Sequence, residues 1–208
     1  PMTYPDKIVS IDFETTGLVA AYDSPTSLDA IVFESGEPTG EALSLKIRPA
    51  LRTKLSLEAF AVQAGGESAF DPDKLGEHLA RIFPPDAVDA KQAMIVLAEW
   101  AGDVGAHLIP NVAQRASFDH AFFDEKLGCF TSVYKDHPLS PIWICTKTMG
   151  RLAFPELTKP SLSALATAVG IECDPRLQHE SKYDALLCGH VYSRLKSRPD
   201  VPGASPEL

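Results

Sequence analysis

KIVSIDFETTGL, residues 7–18, is an apolar run that ends in two carboxylates, Asp12 and Glu14, followed at once by a Thr-Thr-Gly turn. Side chains alternate faces along a strand, so Asp12 and Glu14 share one side and Phe13 is buried on the other. Folding gains nothing from two like charges held side by side, because each raises the other's pKa unless a cation lies between them. A divalent metal is the simplest such partner. The same D-x-E spacing also arises by chance at the polar end of an ordinary strand in an acidic chain, so the reading needs further carboxylates.

Working outward, two more strand-like segments follow, near 28–34 (LDAIVFE) and 42–48 (ALSLKIR), separated by turn-rich stretches such as SGEPTG. Together with residues 7–13 they predict a β-meander. Residues 49–85 carry Gly65-Gly66 and Pro84-Pro85 with weak periodicity and read as short helices and loops. From Asp86 the pattern turns helical, with Val88, Met94, Ile95, Leu97, Ala98, Ala101 and Val104 at three- and four-residue spacing. A strand is expected near 107–114 and a helix after Ser117 that turns Ala121, Phe122 and Leu127 inward. A short strand at 142–145, helices near 147–153 and 161–169, and a last helix over 182–196 complete the pattern. Tyr183, Leu187, Val191 and Leu195 form the apolar stripe of that last helix. A meander followed by alternating helices and strands implies an α/β fold, a mixed sheet flanked by helices.

The 208 residues suit a single domain, expected over 2–196, with 197–208 too poor in apolar residues to fold and read as a disordered tail. Pro1 ahead of Met2 reads as a cloning remnant. No apolar run approaches the roughly 20 residues of a membrane span and no signal sequence opens the chain, which predicts a cytoplasmic protein with no membrane partner. Cys129, Cys145, Cys173 and Cys188 lie far apart, which argues against a zinc cluster or disulfide framework. A net charge of -9 argues against broad electrostatic wrapping of duplex nucleic acid, but not against a small site that grips a few nucleotides and draws positive charge from its own metals.

Two other acidic residues occupy informative places. Asp119, in RASFDHAFF, opens a predicted helix that follows a predicted strand; Asp184, in HESKYDALLCGHVY, lies in the first turn of the last helix, five residues after His179. Each also has a structural explanation: an acidic first turn complements the helix dipole, and Ser181 with Asp184 has the form of a capping box. With Ser181 as cap, His179 falls just outside the helix, where the chain can fold it back over Asp184. That places a group titrating near neutrality beside a carboxylate, a geometry suited to a general base.

In order and separation, IDFETTGL, SFDHAFF and the H-x-x-x-x-D of HESKYDALL resemble the three motifs of the DnaQ-like, or DEDD, family of 3′-to-5′ exonucleases. The resemblance covers roughly residues 7–195. ICTKTMGRLAFPEL is similar to the family's segment between the second and third motifs, and LSALATAVGI to the helix before the third. His179, five residues before Asp184, points to the histidine-bearing DEDDh subfamily, since the position four residues before is Glu180 rather than tyrosine. One departure stands out: where relatives often carry His-Asn-Ala, this chain has Gln114-Arg115-Ala116, and Arg115 can grip a phosphate bidentately.

The resemblance implies a ribonuclease H-like fold with a mixed five-stranded sheet. It implies two Mg2+ or Mn2+ ions held by Asp12, Glu14, Asp119 and Asp184, with Asp12 bridging and His179 taking the proton of the attacking water. Two such ions stabilise both the attacking and the leaving oxygen of an in-line phosphoryl displacement. The implied products are nucleoside 5′-monophosphates cut from the 3′ end of single-stranded DNA or RNA. Thr15, Thr16, Gly17 and Leu18 would receive that end, with Leu18 stacking on a base, and Arg115 and Phe118 would contact substrate. Core packing suits Leu18 as well as stacking does and is the commoner role for a residue placed as Phe118 is, and Arg48, Arg52 and Lys54 read as solvated surface. A second copy of the chain or a polymerase are the candidate protein partners. The competing readings are a catalytically idle nucleic-acid-binding or docking module and a Ser/His/Asp hydrolase. The second lacks a G-x-S-x-G elbow.

Overall fold

The computed structural model describes residues 4–49, 85–133 and 137–198. Its centre is β1 (Lys7–Thr15), which pairs antiparallel with β2 (Pro25–Glu34); β2 in turn pairs antiparallel with β3 (Glu37–Lys46). After α1 (Ala90–Val104), β4 (Asn111–Ala113) returns parallel to β1, and α2 (Ala116–Phe122) leads towards β5 (Trp143–Cys145), parallel to β4. The five-stranded sheet has the order β3-β2-β1-β4-β5. The short helices α3 (Thr146–Ala153) and α4 (Leu162–Ala168) precede the final helix, α5 (Ser181–Lys196). This is the mixed sheet flanked by helices that the meander and its alternating sequel predict.

The alternation in KIVSIDFET sorts its side chains into two cores. Val9, Ile11 and Phe13 join Ala93, Met94, Leu97 and Ala101 of α1 on one face; Ile8 joins Leu187, Val191 and Leu195 of α5 on the other. Ile8, Val9 and Ile11 are fully buried, and each contributes roughly 1.5–3 kcal/mol by leaving water. That anchorage holds in place a strand end whose carboxylates repel one another. On the α5 face, Ser10 Oγ donates to the carbonyl of Ala185 at 2.7 Å, tying the helix to β1 two residues before Asp12. Helix and sheet come close because position 189 is glycine: a Cβ there would collide with the ring of Phe33 on β2.

Several local expectations shift. The predicted strand 107–114 shrinks to Asn111–Ala113, because Ala106–Leu108 forms a 3-10 turn after Gly105, whose φ of 70° ends α1. The first long helix starts at Ala90 rather than Asp86, since Asp89 Oδ1 accepts from the Gln92 amide at 2.8 Å and caps it. Strand β3 begins at Glu37, five residues ahead of the predicted start, carried by its pairing with β2 rather than by apolar alternation. Ser181 is not a cap. It is the first residue of α5 and is buried, while Glu180 occupies the capping position without a side-chain hydrogen bond. The expected loops over 49–85, apart from residues 49 and 85, lie outside the described residues, as do Arg52, Lys54 and the tail from 199 on. Among the described residues no helix is long and apolar enough to cross a membrane.

Candidate active site

Three elements deliver acidic groups to one end of the sheet. Asp12 and Glu14 come from the end of β1; a register shift between Glu14 and Thr15 breaks the ladder there and lets the chain turn away. Because β4 runs parallel beside β1, α2 opens at the same end and brings Asp119 in its first turn. Asp119 is buried, and its Oδ1 accepts from the backbone N–H of Phe13 at 3.2 Å, between the two β1 carboxylates in sequence. Helix α5 contributes Asp184, whose Oδ2 accepts from the His179 backbone N–H at 3.1 Å. His179 is exposed, with a φ of 66°, a left-handed conformation that histidine adopts more readily than most residues. Glu14, His179 and Asp184 each offer a ligand atom within 4.8 Å of the others.

The electrostatics record the crowding. Burial, then Glu14, Asp119, Asp184 and Asp29, push the Asp12 carboxyl well above the usual range. Burial and Asp184 raise Glu14 to about 8 against the opposing charge of Lys46. Asp119 is raised to about 7 by burial, opposed by the amide of Phe13, its own amide and Arg115. Burial also raises Asp184, against the N–H and charge of His179. Buried carboxylates without neutralising cations are costly, and oxygen donors with one imidazole suit a hard divalent ion. The donor set therefore fits the metals implied by the sequence motifs.

The remaining predicted residues surround this cluster in sequence and differ in exposure. Thr15 and Thr16 are buried: Thr15 Oγ1 donates to the Gly17 carbonyl at 2.6 Å, and Thr16 Oγ1 accepts from the Ser24 amide at 3.0 Å. A Cβ at Gly17 would overlap the carboxyl of Asp23, which receives the Val19 amide at 2.9 Å, so a larger residue there must displace that side chain. Leu18 is 66% exposed, so it is not a core leucine, and Val19 and Tyr22 are exposed beside it in sequence. Arg115 is exposed just before α2, with its guanidinium 5.4 Å from the centre of the half-buried Phe118 ring. Sequence reasoning missed Asp29. It is buried on β2 directly opposite Asp12, and Ser181 Oγ donates to its Oδ2 at 2.5 Å. An aspartate inside the otherwise apolar LDAIVF was the available signal.

No family model matches the chain. The chain is 28% identical over 196 residues to the PolC-type DNA polymerase III of Oceanobacillus iheyensis, covering 94% of itself but 12% of that protein. In structure it matches Exonuclease I of Methylocaldum szegediense with a TM-score of 0.65 at 18% identity, over 94% of this chain and 41% of the other. The chain shares the fold of that matched part of Exonuclease I. E. coli Exonuclease I, in complex with a dT13 oligonucleotide, matches with a TM-score of 0.63 at 15% identity, over 93% of this chain and 42% of its own. The chain thus spans about two fifths of each Exonuclease I and a small part of the polymerase. These likenesses agree with the DnaQ-like motifs and with the ribonuclease H-like sheet they imply.

Proposed function

We propose that the chain is a DEDDh 3′-to-5′ exonuclease that releases nucleoside 5′-monophosphates from single-stranded DNA. The observation that carries this reading is the convergence of Asp12, Glu14, Asp119 and Asp184 from three elements at one sheet end, with the exposed His179 beside Glu14 and Asp184. The likeness to a DNA polymerase and to an oligonucleotide-bound Exonuclease I favours DNA over RNA. A polymerase is the favoured protein partner on the same ground. Free thiols at all four cysteines favour the reducing cytoplasm.

The four carboxylates would hold two divalent ions, Mg2+ or Mn2+, with Asp12 between them. When bound, such ions neutralise the scissile phosphate and stabilise charge on both oxygens of an in-line displacement. His179, exposed and held by its backbone to Asp184, accepts the proton of the attacking water. Leu18 stacks on the terminal base, while the turn of Thr15, Thr16 and Gly17 shapes the backbone around the 3′ end. Arg115 contacts a phosphate from beside Phe118, which offers an aromatic face.

The test is hydrolysis of labelled single-stranded DNA and RNA with Mg2+ or Mn2+, compared with Asp12→Ala and His179→Ala. Both variants should lose activity, and a blocked 3′ end should protect the substrate. Undiminished hydrolysis by Asp12→Ala would overturn the mechanism, and inactivity of the wild type on every free 3′ end would favour the docking-module reading.

A further inference from the structure

Asp29 is the buried carboxylate that the proposed mechanism does not use. It is 2% exposed, in the middle of β2, and pairs across the ladder with Asp12. Directly opposed residues point to the same face with Cβ atoms roughly 4.5–5.5 Å apart. Its charge acts on both Asp12 and Glu14. Its two oxygens have different surroundings. Oδ2 accepts the hydroxyl of Ser181, which in turn lies 2.8 Å from Ser27 Oγ, so this oxygen fastens the start of α5 to β2. Oδ1 is buried and receives no hydrogen bond among the described residues.

The fastening alone does not account for an aspartate. An asparagine carbonyl would accept the Ser181 hydroxyl equally well and without the desolvation cost of a carboxylate. A buried charge with one oxygen unpartnered, on the same face as Asp12 and Glu14, acquires a purpose only when a cation occupies that face. We propose that Asp29 is an additional carboxylate of the metal centre, whose Oδ1 supplies negative charge that raises the affinity of the site for divalent cations while Oδ2 fixes α5. This rests on the metal-dependent reading above and extends its donor set by one residue.

The experiment titrates metal-free protein with MnCl2 by calorimetry and follows thermal melting with and without Mn2+. Outer carboxylates of metal sites typically change affinity by about 10- to 100-fold. Asp29→Asn should weaken Mn2+ binding at least about tenfold, while the metal-free variant melts no lower than the wild type because a crowded charge has gone. Ser181→Ala should melt lower yet bind Mn2+ more tightly than Asp29→Asn. Asp29→Asn that melts lower and binds Mn2+ as the wild type does would overturn the proposal, leaving Asp29 a fastener only. A wild type that takes up no Mn2+ would instead overturn the metal-dependent reading itself, and this inference with it. If Asp29→Asn does not fold, the crystal structure of the wild type with Mn2+ decides: Asp29 Oδ1 bonded to the ion or to one of its waters supports the proposal, and the lack of such a contact overturns it.

Discussion

The backbone N–H of His179 donates to Oδ2 of Asp184 at 3.1 Å, and this bond closes a turn whose first residue has a φ of 66°. The left-handed backbone lets the chain reverse just before α5, so that the imidazole meets Glu14 and Asp184 instead of leaving with the solvent-facing loop. Such a conformation costs a non-glycine residue on the order of 1 kcal/mol and persists where neighbouring contacts hold it.

Asparagine tolerates that conformation as well as histidine does, so His179→Asn should keep the turn and remove only the base. Loss of a general base typically costs about 10^2- to 10^4-fold in rate. The variant should melt within a degree or two of the wild type, bind Mn2+ with little change, and lose kcat over that range. Weakened Mn2+ binding with kcat intact would make His179 a ligand rather than a base.

The raised carboxyls set a pH dependence of stability for the metal-free protein. Asp12, Glu14, Asp119 and Asp184 all titrate above their ordinary values in the folded chain, Asp119 to about 7 and Glu14 to about 8. Between about pH 4 and 8 the folded state therefore binds more protons than the unfolded one, and stability falls as pH rises through that window. In EDTA the melting temperature should be highest near pH 5 and decline towards pH 8. Saturating Mn2+ should flatten the curve. A melting temperature that climbs from pH 5 to 8 in EDTA would contradict the buried, charge-crowded site.

The parts of this site that were legible in the sequence are those whose spacing and secondary structure point the same way. The alternation of Ile11, Asp12, Phe13 and Glu14 places two carboxylates on one face, and the structure keeps Phe13 in the opposite core. His179 and Asp184 were legible through their five-residue separation at a helix start. Ser181 was misread because its type and spacing satisfy the capping rule, whereas in the fold its hydroxyl is claimed by Asp29, 152 residues away in sequence. Asp29 stands out in sequence only as an aspartate inside the apolar LDAIVF; its place opposite Asp12 lies in cross-strand register, which local pattern does not fix. The segment 107–114 reads as one strand because Leu108 and Ile109 continue the apolar run through a turn set by Gly105.

Arg115 gives the substitution in the second motif a measurable consequence. It is exposed, lies against Phe118 and faces the acidic cluster closely enough to lower the Asp119 pKa. If it grips one phosphate, Arg115→Ala should raise KM for single-stranded DNA several-fold. The slope of log affinity against log salt should become shallower by about 0.7, the value of one phosphate contact on a single strand. An unchanged slope with lower kcat would assign Arg115 to the electrostatics of Asp119 instead.

Asp12 should show the sharpest opposition between stability and activity. Burial and four neighbouring carboxylates act against its charge, so the metal-free fold gains when that charge is removed. Asp12→Asn preserves the shape of the side chain while relieving the repulsion, and the metal-free variant should melt several degrees above the wild type at pH 8, with the gain shrinking as pH falls, because a carboxyl held above its ordinary range takes up its proton more readily in the folded state. The same variant should lose most of its Mn2+ affinity and fall at least about 10^3-fold in hydrolysis, because the proposed bridging ligand has become neutral. The pairing of the two outcomes is the informative result: a variant that is inactive because it is misfolded would melt lower at every pH, whereas one that is inactive for lack of charge melts higher where the charge had been costly.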